Sequence, residues 1–178
     1  EHCPQFKNII VCDTMEECCK DADIMTIAVS TPTGGHANYP FIQREWLKPG
    51  CLVCAPGAVD FPDELVCDPT VKLVVDNKKL YEAWAEEYPY PTFDKMFLLG
   101  DKFTDMAHDG TLDWGIVQNI GAIANGKVSG RESDDQIILY SIGGMPVEDV
   151  AWGKTVYENA LEKGIGVTLN LWDQPYLY

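Results

Sequence analysis

The feature that most constrains the fold is an apolar run that ends in a serine and two glycines and then opens into a helical pattern. Residues 137–140 form a β-type run, Ser141 ends it, and Gly143 and Gly144 follow at once. Pro146 then begins the helical pattern, where its missing N–H is harmless. A strand that leads through a glycine turn to a helix N-terminus is how α/β proteins build a ligand site. The stretch therefore predicts an α/β protein with a binding crevice.

Short apolar runs alternate with helical or loop segments along the rest of the chain. Strands are predicted at residues 6–12, 24–29, 51–55, 72–75 and 137–140. Helices are predicted at 13–20, 78–87, 113–124 and 146–164, with a helical turn around 44–47 and a last extended piece at 166–172. Such alternation predicts a Rossmann-like, mostly parallel sheet with helices on both faces, joined by right-handed crossovers.

The predicted strand ends are small, polar and rich in glycine, and ligands of parallel sheets bind at these carboxyl ends. They comprise residues 29–31, 57–60, 76–77 and 141–143. A complete dinucleotide site also needs a first strand, a G-x-G-x-x-G turn and an acidic residue about twenty positions later. No such turn occurs in this sequence. The chain is therefore expected to hold the second half of a dinucleotide-binding domain.

The composition of the chain indicates which kinds of partner and which cellular compartment to expect. The chain has 13 Lys and Arg against 28 Asp and Glu, and this net charge of −15 argues against nucleic acid or an anionic membrane as a partner. No apolar run approaches the ~20 residues that a membrane span needs. The seven cysteines lack the spacing of a secreted disulfide framework, which predicts buried free thiols and a cytoplasmic protein.

Two other constellations have simpler explanations than a ligand site. Asp105, His108 and Asp109 could bind a metal, but a solvated turn closed by Gly110 accounts for them, and no metal is expected. An aromatic cluster between residues 81 and 93 has the spacing of a helix packed on a sheet and does not indicate a stacking platform.

Seven short pieces, in order, resemble the ornithine cyclodeaminase/mu-crystallin family. They are Ala22-Asp-Ile, Trp46-Leu-Lys-Pro-Gly, Gly57-Ala-Val-Asp, Val74-Val-Asp, Ser141-Ile-Gly-Gly-Met-Pro-Val-Glu-Asp, Val156-Tyr-Glu-Asn-Ala and Gly164-Ile-Gly. The resemblance implies an N-terminal substrate-binding and dimerisation domain, then a Rossmann domain, then a helix that returns to the first domain. Residues 1–143 would be the partial NAD(P)-binding domain, and residues 144–178 would be the returning helix and strand.

The resemblance also implies roles for individual residues. Asp60 matches the catalytic aspartate, a proton donor and acceptor beside the substrate, although turn chemistry before Phe61-Pro62 would also explain an aspartate there. Ile142 matches a residue that lines the substrate pocket. The implied cofactor contacts are Ser30, Gly57, Ala58, Val59 and Ser141. A tight strand exit would also select small residues at 57–59, and Ser141 could simply cap its strand.

The activity implied is that of an NAD(P)-dependent enzyme, with NAD or NADP as cofactor, acting on an amino acid or its imine. Two departures argue against ornithine itself. Val29 stands where ornithine-specific members have a threonine, although Ser30 or Thr31 could substitute after a shift of the loop. The lysine that follows their catalytic aspartate is absent after Asp60. An opine or ketimine reductase-type dehydrogenase and a non-catalytic, mu-crystallin-like cofactor-binding protein are the alternatives. The chain alone is expected to be inactive, and the complete protein to be a homodimer or to need a partner chain that supplies the N-terminal half.

Overall fold

The fold was analysed in a computed structural model, which describes residues 6–169. The chain divides into two compact units, one that ends at Gly144 and one that begins at Met145. The first unit contains the sheet and the candidate site. The predicted division into domains at residue 143 stays a prediction.

Five parallel strands form one sheet in the first unit. They are β1 (Ile24–Thr26), β2 (Leu52–Ala55), β3 (Lys72–Val75), β4 (Gln118–Asn119) and β5 (Ile138–Ser141), in the order β1-β2-β5-β3-β4. Leu139 in the central strand lies beside Val53 of β2 and Leu73 of β3. These three side chains are at most 1% exposed, because a parallel sheet is covered on both faces. The predicted parallel α/β fold is confirmed.

Seven α-helices accompany the strands in the described residues. They are α1 (Met15–Cys19), α2 (Asp63–Val66), α3 (Lys78–Glu87), α4 (Phe93–Met96), α5 (Leu99–His108), α6 (Ile120–Ala124) and α7 (Pro146–Lys163), with 3-10 turns at His36–Asn38, Arg44–Trp46 and Trp114–Ile116. The side chain of Asn77 begins α3 by accepting a hydrogen bond from the Lys79 N–H. Gly164, with a φ of 64°, ends α7.

The close packing of α3 and α5 depends on a glycine. A Cβ atom on Gly100 would lie 2.3 Å from the ring of Tyr81, a distance at which the ring or one of the two helices would have to shift. Tyr81 and Phe103 are both fully buried in the same apolar core. The two helices therefore approach each other as closely as they do because residue 100 has no side chain.

Two predicted elements are wrong. Residues 6–12 form no strand, and Ile9, Ile10 and Val11 are 74–90% exposed, since no described strand lies beside them to complete their hydrogen bonds. The helix predicted over 113–124 divides into the 3-10 turn at Trp114–Ile116, strand β4 and helix α6. The Asp113 side chain accepts a hydrogen bond from the Gly115 N–H and so favours a tight turn at that point.

Other predicted elements are present, some of them with changed boundaries. Strand β3 and helix α3 have the predicted bounds, whereas β1 ends three residues earlier than predicted and β5 is shifted by one residue. Residues 166–169 carry no strand, and the rest of the extended piece predicted up to residue 172 lies outside the described residues. Of the six described cysteines, only Cys19 and Cys51 are buried, so the prediction of buried thiols is wrong for the exposed Cys18 and Cys67.

The second unit consists of α7 and the few described residues after it. Helix α7 is 18 residues long and begins with Pro146 in its first turn, as predicted. None of its residues is buried, including the apolar Val147, Val150 and Leu161. Between residues 6 and 169, no helix combines the length with the apolar character that a bilayer crossing requires.

Candidate active site

Asp60 lies at the end of the chain segment that leaves β2. Its backbone N–H donates to the Pro40 carbonyl at 2.8 Å, and its carbonyl accepts from the Ile42 N–H at 3.0 Å. Phe41 and Asp60 thereby form a parallel β-bridge. The loop of residues 31–40 therefore leads directly to the backbone of Asp60.

The Asp60 carboxylate is held through one of its oxygens. Oδ1 accepts a hydrogen bond from the Phe61 N–H at 2.7 Å and from the Lys102 ammonium at 2.6 Å. The Asp60 side chain is 15% exposed and lines an open cavity of about 390 Å³ together with Phe41 and Gln43. No described residue forms a hydrogen bond with Oδ2, so that oxygen keeps its capacity to accept one.

Lys102 belongs to the site, and the sequence analysis missed it. It projects from α5, has a side chain only 10% exposed, and also donates to the Phe61 carbonyl at 2.6 Å and to Asp63 Oδ1 at 2.7 Å. No helix was predicted between residues 88 and 112. The spacing of Leu99, Phe103 and Met106 (i, i+4, i+7) is the signal that indicates such a helix.

The small residues at 57–59 are explained first by the backbone around them. The Gly57 N–H donates to the Ile27 carbonyl at 2.9 Å, and a Cβ on Gly57 would lie 2.8 Å from the Val29 carbonyl oxygen. Ala58 and Val59 are fully buried. Neither side chain nor backbone of these two residues is accessible within this chain, and their predicted contact with a cofactor stays a prediction. Ser30, by contrast, is exposed in the loop after β1.

Ser141 is fully buried, and its hydroxyl is used by the core. Oγ accepts a hydrogen bond from the Gly100 N–H at 2.8 Å and lies 3.0 Å from the Tyr81 hydroxyl. Burial raises the pKa of Tyr81, so this phenol stays neutral. Ile142 is half-buried, and its N–H donates to the Ala55 carbonyl. The structure thus gives Ser141 a packing role, and its predicted contact with a cofactor stays a prediction.

Asp76, at the end of β3, anchors the glycine turn. Its Oδ2 accepts hydrogen bonds from the N–H groups of Gly143 at 2.8 Å and Gly144 at 2.7 Å, and Oδ1 accepts from Asn77 at 2.9 Å. Asp76 is 6% exposed. The two glycine N–H groups that the sequence suggested for ligand binding are therefore occupied within the protein.

The loop of residues 31–40, which contacts the backbone of Asp60, is held by side-chain contacts that the sequence does not reveal. The His36 ring nitrogen Nδ1 pairs with Oδ1 of Asp94, and the His36 ring stacks on Phe93. This hydrogen bond lowers the pKa of Asp94. The Tyr39 hydroxyl donates to the Phe93 carbonyl at 3.3 Å. Loop 31–40 is thereby joined to α4.

The residues considered for a metal site have other partners. Asp105 accepts hydrogen bonds from the N–H groups of Thr92 and Phe93, and the His108 ring stacks on Tyr90 with centroids 4.6 Å apart. The Tyr90 hydroxyl donates to Asp109. Among the residues that the structure describes, no group of three or more His, Cys, Asp or Glu side chains is arranged to hold a metal ion.

Comparison with known families identifies the family to which the chain belongs. The sequence model of the ornithine cyclodeaminase/mu-crystallin family matches residues 3–164. The chain belongs to this family. The match contains all of the sheet, Asp60 and the whole of α7.

Curated members of the ornithine cyclodeaminase/mu-crystallin family include several dehydrogenases similar to this chain. N-((2S)-2-amino-2-carboxyethyl)-L-glutamate dehydrogenase of Staphylococcus aureus is 25% identical over 166 residues, which are 93% of this chain and 43% of that protein. Alanine dehydrogenase of Archaeoglobus fulgidus is 30% identical over 132 residues, which are 71% and 36% of the two proteins. The chain thus spans less than half the length of the curated relatives it matches.

Solved structures show the same fold. Delta(1)-pyrroline-2-carboxylate reductase of Thermococcus litoralis, in complex with NADH and L-proline, superposes with a TM-score of 0.63 at 24% identity. The aligned part covers 88% of this chain and 43% of that one. The structure of CmnK aligns with a TM-score of 0.68 at 21% identity over 94% of this chain. The fold is therefore that of the Rossmann-like part of these proteins.

Proposed function

We propose that this chain forms the second half of the cofactor domain of an NAD(P)-dependent enzyme that acts at the C–N carbon of an amino acid or its imine. Membership of the ornithine cyclodeaminase/mu-crystallin family supports this proposal, as do relatives whose names describe dehydrogenases and reductases of amino acids and imines. The observation that carries it is the geometry of Asp60, a carboxylate fixed through Oδ1 with Oδ2 free at an open cavity.

The chemistry of such an enzyme requires a proton donor and acceptor beside a hydride-transfer centre. The nicotinamide supplies or accepts the hydride when it is bound. The amine or imine nitrogen of the substrate gains or loses a proton as the C–N carbon is reduced or oxidised, and a positioned carboxylate accelerates that step. In this proposal Asp60 Oδ2 holds the proton, while the contacts on Oδ1 keep the side chain in place.

The residues present fit half of a cofactor site. The β1 and β2 chain exits lie side by side, joined by the hydrogen bond from Gly57 to Ile27, and residues 28–30 are exposed beside them. In this proposal the exposed Ser30 would contact the cofactor, and residues 57–59, which are buried in this chain, would lie beneath it. Relatives described with NAD or NADH, such as the archaeal alanine dehydrogenase and the Thermococcus litoralis reductase, support NAD as the cofactor.

The residues near Asp60 favour a dehydrogenase or imine reductase activity over ornithine cyclodeamination. The segment after Asp60 carries Asp63 and Glu64 in place of a lysine, and Val29 replaces the threonine of ornithine-specific members. Ile142, half-buried at the end of β5, would face the substrate. We further propose a homodimer, or a partner chain that completes the cofactor domain, and a cytoplasmic location.

Substitution of Asp60 tests the proposal in a complete protein that includes the first half of the cofactor domain. We expect Asp60→Asn to reduce turnover with NADH and an imino acid by about 10²- to 10⁴-fold, the usual contribution of a general acid or base. NADH binding, followed by cofactor fluorescence, should change little, because the predicted cofactor contacts are elsewhere.

The exposed Asp134 provides the matched control, since Asp134→Asn makes the same chemical change away from the site. Equal turnover in the wild type and in Asp60→Asn would contradict the proposed role of Asp60. Tight NADH binding without turnover of any amino or imino acid in the wild type would instead support a mu-crystallin-like binding protein.

A further inference from the structure

The lysine that ornithine-specific members place just after the aspartate has no counterpart in the sequence after Asp60. Residues 61–65 read Phe-Pro-Asp-Glu-Leu and contain no positive charge. In the structure an ammonium nevertheless lies against Asp60, supplied by Lys102 from helix α5, 42 residues further along the chain. We propose that Lys102 is the positioning residue of Asp60, an inference that rests on the proposed catalytic role of that aspartate.

The contacts of Lys102 fix its ammonium in one place. An ammonium group has three N–H donors. The Lys102 nitrogen Nζ lies 2.6 to 2.7 Å from three oxygens, which are Asp60 Oδ1, the Phe61 carbonyl oxygen and Asp63 Oδ1. The Lys102 residue is 8% exposed. A buried lysine whose three donors are all engaged has no other position to adopt, so it acts as a fixed anchor.

Lys102 faces two carboxylates, those of Asp60 and Asp63, so it does not depend on Asp60 alone for a partner. The Asp63 side chain is 71% exposed, and its carboxylate also contacts the Lys102 ammonium. Lys102 therefore remains paired when Asp60 gains a proton, and the cost of leaving a buried cation unpaired does not arise. This arrangement allows Asp60 to change its protonation state while its Oδ1 stays in place.

Helix α5 sets the location of the ammonium from the core side. Gly100 packs against the Tyr81 ring, the Gly100 N–H donates to Ser141, and Phe103 is fully buried. The position of Lys102 is thus tied to the sheet through α5.

Kinetics of Lys102 variants in the complete protein test this inference. We expect Lys102→Met to lower kcat about 10- to 100-fold, the order of effect that a misplacement of about 1 Å produces. The KM for NADH should change less than about twofold. Lys102→Arg, which keeps the charge, should retain more activity than Lys102→Met. The exposed Lys79 supplies the control, Lys79→Met, with unchanged kinetics.

A double substitution separates positioning from mere stabilisation of the fold. If Lys102 acts through Asp60, Lys102→Met should have no further effect on kcat in an Asp60→Asn background, at a temperature where every variant is fully folded. A second variant, Asp63→Lys combined with Lys102→Met, returns a lysine to the segment after Asp60 and should recover at least tenfold in kcat over Lys102→Met.

Each outcome decides one question. Unchanged kcat in a folded Lys102→Met variant of an active enzyme would overturn the inference and leave the function of Asp60 intact. An equal loss of kcat from Lys102→Met with and without Asp60 would also overturn it. A wild-type protein that binds NADH without turning over any amino or imino acid would overturn the proposed function, and this inference with it.

Discussion

Asp60 and Asp76 both follow buried strands that flank the central strand β5, yet they are used in different ways. Asp76 receives three backbone N–H groups on its two oxygens and is 6% exposed. Asp60 receives one backbone N–H and one ammonium, both on Oδ1, at the side of an open cavity. An aspartate at a strand end is therefore a structural tie when both of its oxygens are occupied, and a candidate reactive group when one is left free.

The stability of the chain should distinguish the two aspartates most strongly. We expect Asp76→Ala to lower the free energy of unfolding by about 3 kcal/mol, because three N–H groups lose their acceptor. Asp60→Asn should lower it by about 1 kcal/mol, because an asparagine still accepts from Phe61. Urea unfolding of both variants measures the difference. Equal losses would show that Asp60 is as structural as Asp76.

Ser141 provides a second comparison, between a core contact and a cofactor contact. We expect Ser141→Ala to lower the free energy of unfolding by about 1 to 2 kcal/mol, since the Gly100 N–H loses its acceptor. Tyr81→Phe removes only the bond between the two hydroxyls and should cost less in hydrogen bonding. NADH affinity of the complete protein should not change in either variant. A marked loss of NADH affinity in Ser141→Ala alone would favour the predicted cofactor contact.

Asp101 extends the comparison to an aspartate with almost no partners. It is fully buried, Oδ2 accepts only from the Leu98 N–H at 3.2 Å, and Oδ1 has no partner. Burial raises its pKa from 3.8 to about 8, and the charge of Asp105 acts in the same direction. The folded state therefore binds this proton more tightly than the unfolded state does.

It follows that the contribution of Asp101 to stability falls as the pH rises from about 4 to about 8. Asp101→Asn mimics the protonated form and should remove this loss of stability at higher pH. We expect the Tm of Asp101→Asn, relative to that of the wild type, to be higher at pH 8 than at pH 5. Thermal unfolding at the two pH values measures it, with Asp134→Asn as the exposed control. A difference that stays constant with pH would contradict the raised pKa.

The sequence was sufficient for the elements whose patterns are local. β3 and α3 have the predicted bounds because an apolar run and the Asn77 cap define them without reference to the rest of the chain. Residues 6–12 have an equally apolar pattern, but a strand also requires a neighbour, which local pattern does not specify. The parallel fold could thus be predicted, but not the identity of all its strands.

The candidate site was predictable only in part for a related reason. The family resemblance identified Asp60 from a motif of consecutive residues, and the role of Asp60 stays a prediction. Lys102 and Asp94 contact the site region across 42 and 58 residues of chain, and such distant contacts depend on how helices pack. The same holds for the tie between Asp76 and Gly143, since each residue looks like an ordinary strand end or turn in the sequence.

The glycine at position 100 means that a substitution in the core can affect the distant contact between Lys102 and Asp60. Gly100 and Lys102 are two residues apart on α5, so they point to roughly opposite sides of the helix. One side rests against the Tyr81 ring and the other delivers an ammonium to Asp60. A methyl group added at Gly100 would clash with the Tyr81 ring, and any movement of α5 that relieved the clash would move the ammonium as well. The alignment of the Asp60 carboxylate therefore depends in part on the absence of a side chain in the interior.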